Sequence, residues 1–227
     1  YFGNAISAQT IPTAESSIIK AVSLYSNDLY FRTYAQVYLV KLNSIVAKGQ
    51  NISDTDKADI KSSFDQAISG AQSAVNYNPY NYLNLSTLGS VYETVAPFGV
   101  TGAYDEAVKA YQNAAQLNPT NPSIELALAR VSLSSSKTKE ATDYANQALK
   151  LKPDYPDALV ILSQIARAGG DNAGALNYAE QALSLVPTDN NLIQYVNALK
   201  GNSSSSTTID NSKNSSSGSK SDIKKTQ

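Results

Sequence analysis

One spacing of small residues and proline recurs along most of this chain and limits the folds that it can adopt. An alanine is followed seven residues later by a second alanine, and five residues after that by a proline, with successive prolines as little as 34 residues apart. Such repetition predicts a stack of similar units rather than one irregular core. The copies are Ala67/Ala74/Pro79, Ala107/Ala114/Pro119, Ala141/Ala148/Pro153 and Ala175/Ala182/Pro187, with a fifth at Ala14/Ala21 in which Ser26 replaces the proline.

The spacing predicts the structure of each unit. Two alanines seven residues apart lie on one helix face, two turns from each other, and their methyl groups let a neighbouring helix approach closely. Proline cannot continue a helix, so it marks the turn into the next one. That next helix begins at Asn121-Pro122 with an Asn cap and a first-turn proline. We therefore expect an all-α solenoid of antiparallel helix pairs.

The unit between Pro79 and Pro119 carries the fullest motif. It reads Leu85-x2-Leu88-Gly89-x2-Tyr92, and then Ala107-x3-Tyr111-x2-Ala114 before the proline. This pattern resembles the tetratricopeptide repeat, with Leu85 at a position where that family usually has tryptophan. The resemblance covers residues 13–200 and implies a right-handed α-solenoid that acts as a non-catalytic scaffold and binds a protein or peptide.

The resemblance also implies where binding takes place. The concave face of such a solenoid is lined by the first helix of each pair. The alternative is a solvated helix face with some packing between units. The side chains expected in the groove form a mildly polar surface of mixed charge, without a Lys/Arg cluster to clamp a carboxylate: Leu83, Ser86, Ser90, Glu93, Ser123, Leu126, Arg130, Leu133, Asp157, Val160, Gln164 and Arg167.

Whole segments of the chain are similar to a second, narrower group. Residues 12–43, 78–104, 118–131 and 151–170 resemble the C-terminal repeat region of multi-pass bacterial membrane proteins of the O-antigen ligase/polymerase type. This resemblance implies a membrane-associated appendage that holds a protein or peptide near the membrane machinery. The alternative is a glycan-binding or substrate-presenting module in cell-surface polysaccharide assembly. The reactive residues of those proteins lie in their membrane part and have no counterpart here.

The first residue and the composition bear on where such an appendage would be located in the cell. The chain starts at Tyr1 rather than at a methionine, so we expect a piece of a longer protein that meets the membrane only through upstream segments. A low charged fraction of 16% and abundant Asn, Ser and Thr favour the extracytoplasmic side.

Composition excludes most catalytic chemistry. The chain has no His and no Cys, so it lacks an imidazole base and a thiolate nucleophile, and zinc would have only carboxylate ligands. A net charge of −1 gives no basic field that would attract nucleic acid. We expect no enzymatic activity, no cofactor, no metal and no nucleic-acid partner.

Tyrosines offer the best support for a glycan partner. Tyr30, Tyr34 and Tyr38 are spaced four residues apart and share one stripe of a helix. Aromatic rings can stack on sugars or bases, but a stripe of this kind is more typical of a core with hydroxyls at its edge. We expect these rings to be packed inside the protein.

Two irregular segments allow a functional interpretation beside a structural one. The carboxylates Asp54, Asp56 and Asp59 suggest a calcium loop, but its glycine and final glutamate are missing, so we expect a helix capped by Ser53. The apolar loop 95–103 interrupts the array and could carry recognition. We expect instead that Phe98 and Val100 fold back over the helix pair.

Composition also divides the chain. We expect a lead-in at 1–12, a repeat domain at 13–200 that ends with a helix at 188–200, and a Ser/Asn/Lys-rich tail at 201–227. The tail has few apolar side chains to bury, so its sequence predicts disorder.

Overall fold

Helices account for most of the described chain. The computed structural model describes residues 1–206, with side chains through residue 201, and this part contains helices and no strands, which confirms the all-α fold class. Short 3-10 turns lie at Gly49–Asn51 and Ala96–Phe98. The α-helices are α1 (Phe2–Ile6), α2 (Ile11–Leu24), α3 (Asp28–Val46), α4 (Asp54–Tyr77), α5 (Tyr82–Val95), α6 (Ala103–Leu117), α7 (Pro122–Ser134), α8 (Thr138–Leu151), α9 (Pro156–Ala168), α10 (Asn172–Leu185) and α11 (Asn190–Ser206).

The helices associate in sequential pairs. The most extensive contacts join α3 to α4, α5 to α6, α7 to α8, and α9 to α10. Each second helix from α4 onward ends two residues before one of the repeat prolines, as the spacing predicts. Asn121 caps α7, and its side chain accepts a hydrogen bond from the backbone N–H of Ser123. The connections are short, so each helix folds back on its predecessor.

Alanines make the close packing within each pair possible. In the four complete copies of the motif, both alanines are fully buried. The crossing of α5 and α6 instead combines the smallest residue, a glycine, with a large aromatic ring. Gly89 of α5 faces the ring of Tyr111, and a β-carbon at Gly89 would lie 2.8 Å from that ring. At the corresponding positions the α7–α8 pair has Ala129 and Ala145. The small side chain of Ala145 leaves room for the β-carbon of Ala129.

The array curves with the first helices on the inside. Contacts join α3 to α5, α5 to α7, and α7 to α9, whereas no pair of successive second helices makes contact of that extent within residues 1–206. Helices that approach more closely on one side bend the stack toward that side. The first helices therefore line the concave face.

A polar cluster connects α3 and α4 to α5. The amide of Asn84, which is fully buried, donates to the carbonyls of Ala74 (2.9 Å) and Asn78 (2.8 Å), and it also donates to the carboxylate of Asp28 (3.3 Å). Arg32 pairs with Asp28 at 3.3 Å and donates to the Asn84 side-chain oxygen. We call these three side chains, Asp28, Arg32 and Asn84, the polar junction.

Both ends of the repeat region differ from the predicted boundaries. The segment expected as a lead-in contains α1 and the start of α2, and the ring of Phe2 stacks on Tyr30 with centroids 4.5 Å apart. At the other end α11 continues to Ser206, beyond the helix end predicted at 200. A helix that is already packed can propagate through residues of modest propensity, so Gly201 does not end it. Residues 207–227 of the expected tail lie outside the described residues.

The two irregular segments have structural roles. Ser53 and Asp56 form a reciprocal capping box at the start of α4, which confirms the cap and explains the run of carboxylates. Phe98 packs on Phe64 of α4 with ring centroids 5.2 Å apart and stays 43% exposed, so the loop folds onto the preceding helix pair. Within the described range, no helix has both the length and the apolar character of a membrane span.

Candidate binding groove

The concave face presents most of the side chains that the sequence places there. Eleven of the twelve are exposed or partly exposed on α5, α7 and α9. The exposed ones are Leu83, Ser123, Arg130, Asp157, Gln164 and Arg167, and the partly exposed ones are Ser86, Ser90, Glu93, Leu133 and Val160.

Leu126 is the exception, because it is buried rather than open to the groove. Only 7% of its surface is exposed, and it belongs to the apolar cluster that contains Ile161 and Ala158 of α9. The α7 and α9 helices contact each other directly, and this contact covers Leu126. It therefore stabilises the array and is not a surface for a partner.

An ion pair crosses the groove between α5 and α7. Arg130 donates from Nε to Glu93 Oε1 and from Nη2 to Glu93 Oε2, the latter at 2.9 Å. The hydroxyl of Tyr111, from α6, donates to Glu93 Oε2 at 2.8 Å. The carboxylate is thus held from two sides, and the bidentate geometry fixes the guanidinium in place. We call Glu93, Arg130 and Tyr111 the central bridge.

Two members of the central bridge, Arg130 and Tyr111, keep their protons at neutral pH. The hydrogen bond to Glu93 raises the pKa of Arg130 above its ordinary value. Burial raises the pKa of Tyr111, and the Glu93 carboxylate raises it further, because an ionised phenol would be desolvated beside a negative charge. Tyr111 therefore remains a hydrogen-bond donor, and the bridge is not a proton-transfer device.

Tyr155 is a neighbour of the predicted groove residues that sequence reasoning missed. It precedes α9 at the cap position, where the two preceding units have Asn81 and Asn121. Lys152 Nζ lies 4.7 Å from its ring centroid. Burial raises the pKa of Tyr155, the charge of Asp157 adds to that rise, and Arg130 opposes it. Comparing the cap positions of successive units would have revealed this aromatic substitution.

Two clefts lie at the ends of the concave face. The N-terminal cleft, of about 410 Å³, lies between α1, α2 and α3 and is lined by Ile6, Thr33, Gln36, Val37 and Val40 among others. The C-terminal cleft, of about 350 Å³, is formed where α9 faces α11. It includes the predicted groove residues Asp157, Val160 and Gln164. The α11 side of this cleft was not anticipated, since its residues lie beyond the last complete copy of the motif.

The tyrosine stripe of α3 belongs to the packed body. Tyr38 is 5% exposed, and its ring lies 4.8 Å from that of Tyr34, centroid to centroid. Tyr34 donates its hydroxyl to Gln66 of α4. Tyr30 is covered by Phe2. The rings pack as expected and leave no open aromatic platform on this stripe.

The described residues also hold no cluster suited to a metal ion. No group of three or more Asp, Glu, His or Cys side chains converges within that part of the chain.

Comparison with known proteins agrees with this architecture. Residues 101–159 match the family model described as tetratricopeptide repeat. A thermophilic tetratricopeptide repeat protein from Thermus thermophilus is 17% identical, with 84% of this chain and 90% of that chain covered and a TM-score of 0.65. PilW, a type IV pilus biogenesis factor, is 18% identical, with coverage of 89% and 84% and a TM-score of 0.65.

A third similar structure is YrrB, a tetratricopeptide repeat protein with an unusual peptide-binding site. It is 16% identical, with coverage of 83% and 84% and a TM-score of 0.56. A search of curated proteins found no significant match. The chain therefore has the α-solenoid fold of tetratricopeptide repeat proteins.

Proposed function

We propose that this chain is a non-catalytic scaffold that binds an extended protein or peptide segment along its concave face. The observation that carries this proposal is the row of accessible side chains on α5, α7 and α9, on the inner side of the curve. The row alternates small hydroxyls such as Ser90 with apolar and charged side chains such as Leu83 and Arg130. An extended segment could make backbone hydrogen bonds and side-chain contacts along such a surface. The peptide-binding site of YrrB, which has a similar fold, supports this choice.

The central bridge supports a binding role rather than a catalytic one. Glu93 and Arg130 neutralise each other, and neither is left as a free acid or base in the groove. Rigid side chains lose less conformational entropy when a partner binds. The bridge therefore offers a pre-organised contact point halfway along the groove.

We also propose that the scaffold is carried by a larger bacterial membrane protein. Its support is the resemblance of whole segments, such as 78–104 and 151–170, to the repeat region of O-antigen ligase/polymerase-type proteins. The reading frame upstream of Tyr1 tests this part. Several apolar spans encoded in frame are expected, and a short upstream stretch without any span would contradict it.

A glycan partner has weaker support. The best residues for it were Tyr30, Tyr34 and Tyr38, and their rings pack against neighbouring aromatic residues of the protein. Tyr80 is the most exposed large ring, at 84%, but it stands on a turn rather than in a cleft. No observation favours a sugar over a peptide.

A peptide selection tests the binding proposal. The full chain would be immobilised and used to select binders from a phage library of random octapeptides. We expect selected peptides to bind wild type and to lose about tenfold or more in affinity to Ser90→Arg, because the larger side chain occupies the middle of the groove.

The matched control places the same substitution outside the groove. Asn113 is exposed on α6, a second helix, so Asn113→Arg should leave binding unchanged. Equal melting temperatures for the two variants would exclude unfolding as the cause of lost binding. Failure to select any peptide, or binding that Ser90→Arg does not weaken, would contradict the proposal.

A further inference from the structure

The C-terminal cleft differs from the rest of the groove because its charges are not neutralised. Asp157 of α9 and Asp189, which precedes α11, both line it, and no Lys or Arg does. Neither carboxylate forms an ion pair within residues 1–201. The other predicted groove cation, Arg167, lies ten residues beyond Asp157 and therefore about 15 Å along the helix.

Both carboxylates stand at the N-terminal ends of helices. Asp189 accepts the backbone N–H groups of Asn191 (2.9 Å) and Leu192 (3.1 Å), both through Oδ1. Asp157 lies in the first turn of α9. A negative charge is stabilised at the N-terminal end of a helix, which suits a carboxylate at each of these positions. Because Oδ1 is oriented by the cap, Oδ2 of Asp189 is available to a ligand.

The floor of the cleft is apolar. Leu192 is 6% exposed and lies in the cluster where α9, α10 and α11 meet, and Val160 packs against the same cluster. Gln164 and Tyr195 complete the wall, and the Tyr195 hydroxyl is already hydrogen bonded to Ser163 at 3.1 Å. An apolar floor between two carboxylates suits a side chain with a long aliphatic stem and a cationic head.

The other parts of the groove lack this combination. The central bridge is neutral overall, because Glu93 pairs with Arg130. The N-terminal cleft is lined by apolar and uncharged polar side chains. Charge complementarity therefore distinguishes the C-terminal cleft from the other two sites and indicates what it accepts.

We infer that the C-terminal cleft receives a lysine or arginine side chain of the extended segment that the groove binds. The aliphatic stem lies over Val160 and Leu192, and the cationic head lies between Asp157 and Asp189. Because this inference rests on the proposed function, its test must separate failure of the cleft from failure of the groove. The required partner is a segment with a basic residue next to apolar ones.

The same octapeptide library provides the test. Peptides selected on the wild-type full chain should carry Lys or Arg at one aligned position, enriched about fivefold or more over the unselected library. A parallel selection on D157N/D189N should lose that enrichment and still yield binders. Asparagine at position 189 remains a good helix cap, and position 157 is exposed, so the variant keeps its fold.

A labelled peptide selected on the wild-type chain is then used to measure the affinity of each variant by fluorescence anisotropy. We expect about tenfold weaker binding to D157N/D189N and a smaller loss at high salt, because exposed charge pairs are screened. The matched control is D65N/D143N, which removes two exposed carboxylates from the second helices α4 and α8 and leaves the cleft intact. Its affinity should equal that of wild type.

Three results would overturn the inference. Selected peptides without basic enrichment, or enrichment that persists in D157N/D189N, would show that the cleft does not select a cation. Tighter peptide binding after replacing Lys213, Lys220, Lys224 and Lys225 with serine would assign the cleft to the chain's own lysines instead of a partner. A library that yields no binder contradicts the proposed function itself and removes the basis of the inference.

Discussion

Two kinds of junction hold successive helix pairs together, and they occupy the same position of the repeat. Where α4 meets α5, that position is Asn84, whose amide joins the polar junction. Where α6, α8 and α10 meet the following helix, the position holds Ile124, Ala158 and Leu192, all of which are buried. At this position the α3–α4 pair is therefore attached to α5 by hydrogen bonds and charge, and the later junctions are apolar.

The difference shows which part of the repeat can vary. The alanines within each pair are fully buried on both sides of the polar junction, so close helix crossing is common to all the pairs. The junction between pairs tolerates either chemistry, provided that every buried polar group finds a partner. The register of the array thus depends more on the crossing within pairs than on the junction between them.

The largest effect should come from overpacking a crossing, and it should be similar in both regions. Ala74→Trp and Ala148→Trp replace fully buried methyl groups at the same repeat position, and each should lower the free energy of unfolding by about 3 kcal/mol. Urea unfolding monitored by circular dichroism measures this. Asn146→Trp, at an exposed position of α8, is the control and should change little. A mild effect at Ala74 with a severe one at Ala148 would mean that the two regions also differ inside their pairs.

A smaller effect should come from removing the polar junction. Asn84→Leu has a similar volume but leaves Asp28 and Arg32 without their amide partner, so we expect a loss of about 2 kcal/mol. Asn113→Leu makes the same change at an exposed site of α6 and should be nearly neutral. Wild-type stability in Asn84→Leu would show that apolar packing can replace the junction and that the two kinds are equivalent.

Acidification should weaken the polar junction selectively. A hydrogen bond from Asn81 holds the pKa of Asp28 below its ordinary value, with further contributions from Asn84 and Arg32. A lowered folded pKa stabilises the protein above the unfolded value, and this stabilisation is lost as the pH falls below about 4. Unfolding midpoints from pH 7 to pH 3 should therefore fall less steeply in Asn84→Leu than in wild type. Parallel curves would show that Asn84 does not contribute to the shift.

The smallest effects should be opposite in sign for two buried serines. Ser63 of α4 has a buried hydroxyl without a hydrogen-bond partner, so Ser63→Ala should stabilise the protein by about 1 kcal/mol. Ser163 of α9 is equally buried, but its hydroxyl donates to the Ala175 carbonyl at 2.6 Å. Ser163→Ala should destabilise by about 1 kcal/mol. Thermal melting of the two variants side by side measures the contrast, and shifts of the same sign would contradict it.

The sequence predicts the fold well because backbone geometry and small residues set it. Alanine and proline at fixed offsets define where each second helix packs and ends, and the structure follows them closely. Leu126 was misplaced because its exposure depends on how near α9 comes to α7, and the spacing of the repeat does not encode that distance. The polar junction was missed for a related reason, since Asp28 and Asn84 are 56 residues apart.

The candidate groove is less predictable than the fold. Repeat positions identify the inner face but not which side chains on it neutralise one another. The pairing of Glu93 with Arg130, and the lack of such a partner for Asp157, depend on side-chain orientation across two helices. Tyr155 could have been found from its cap position, but its nearness to Arg130 could not.

The central bridge also has a mechanical consequence. A curved helical array behaves like a spring, and it straightens when successive inner helices move apart. Glu93 and Arg130 tie α5 to α7, so stretching at that point must break a bidentate ion pair. The corresponding positions between α7 and α9 hold Leu133 and Gln164, which cannot form such a tie. We therefore expect the α5–α7 step to resist stretching through its ion pair, and the α7–α9 step to resist it through the apolar contact of Leu126 with α9.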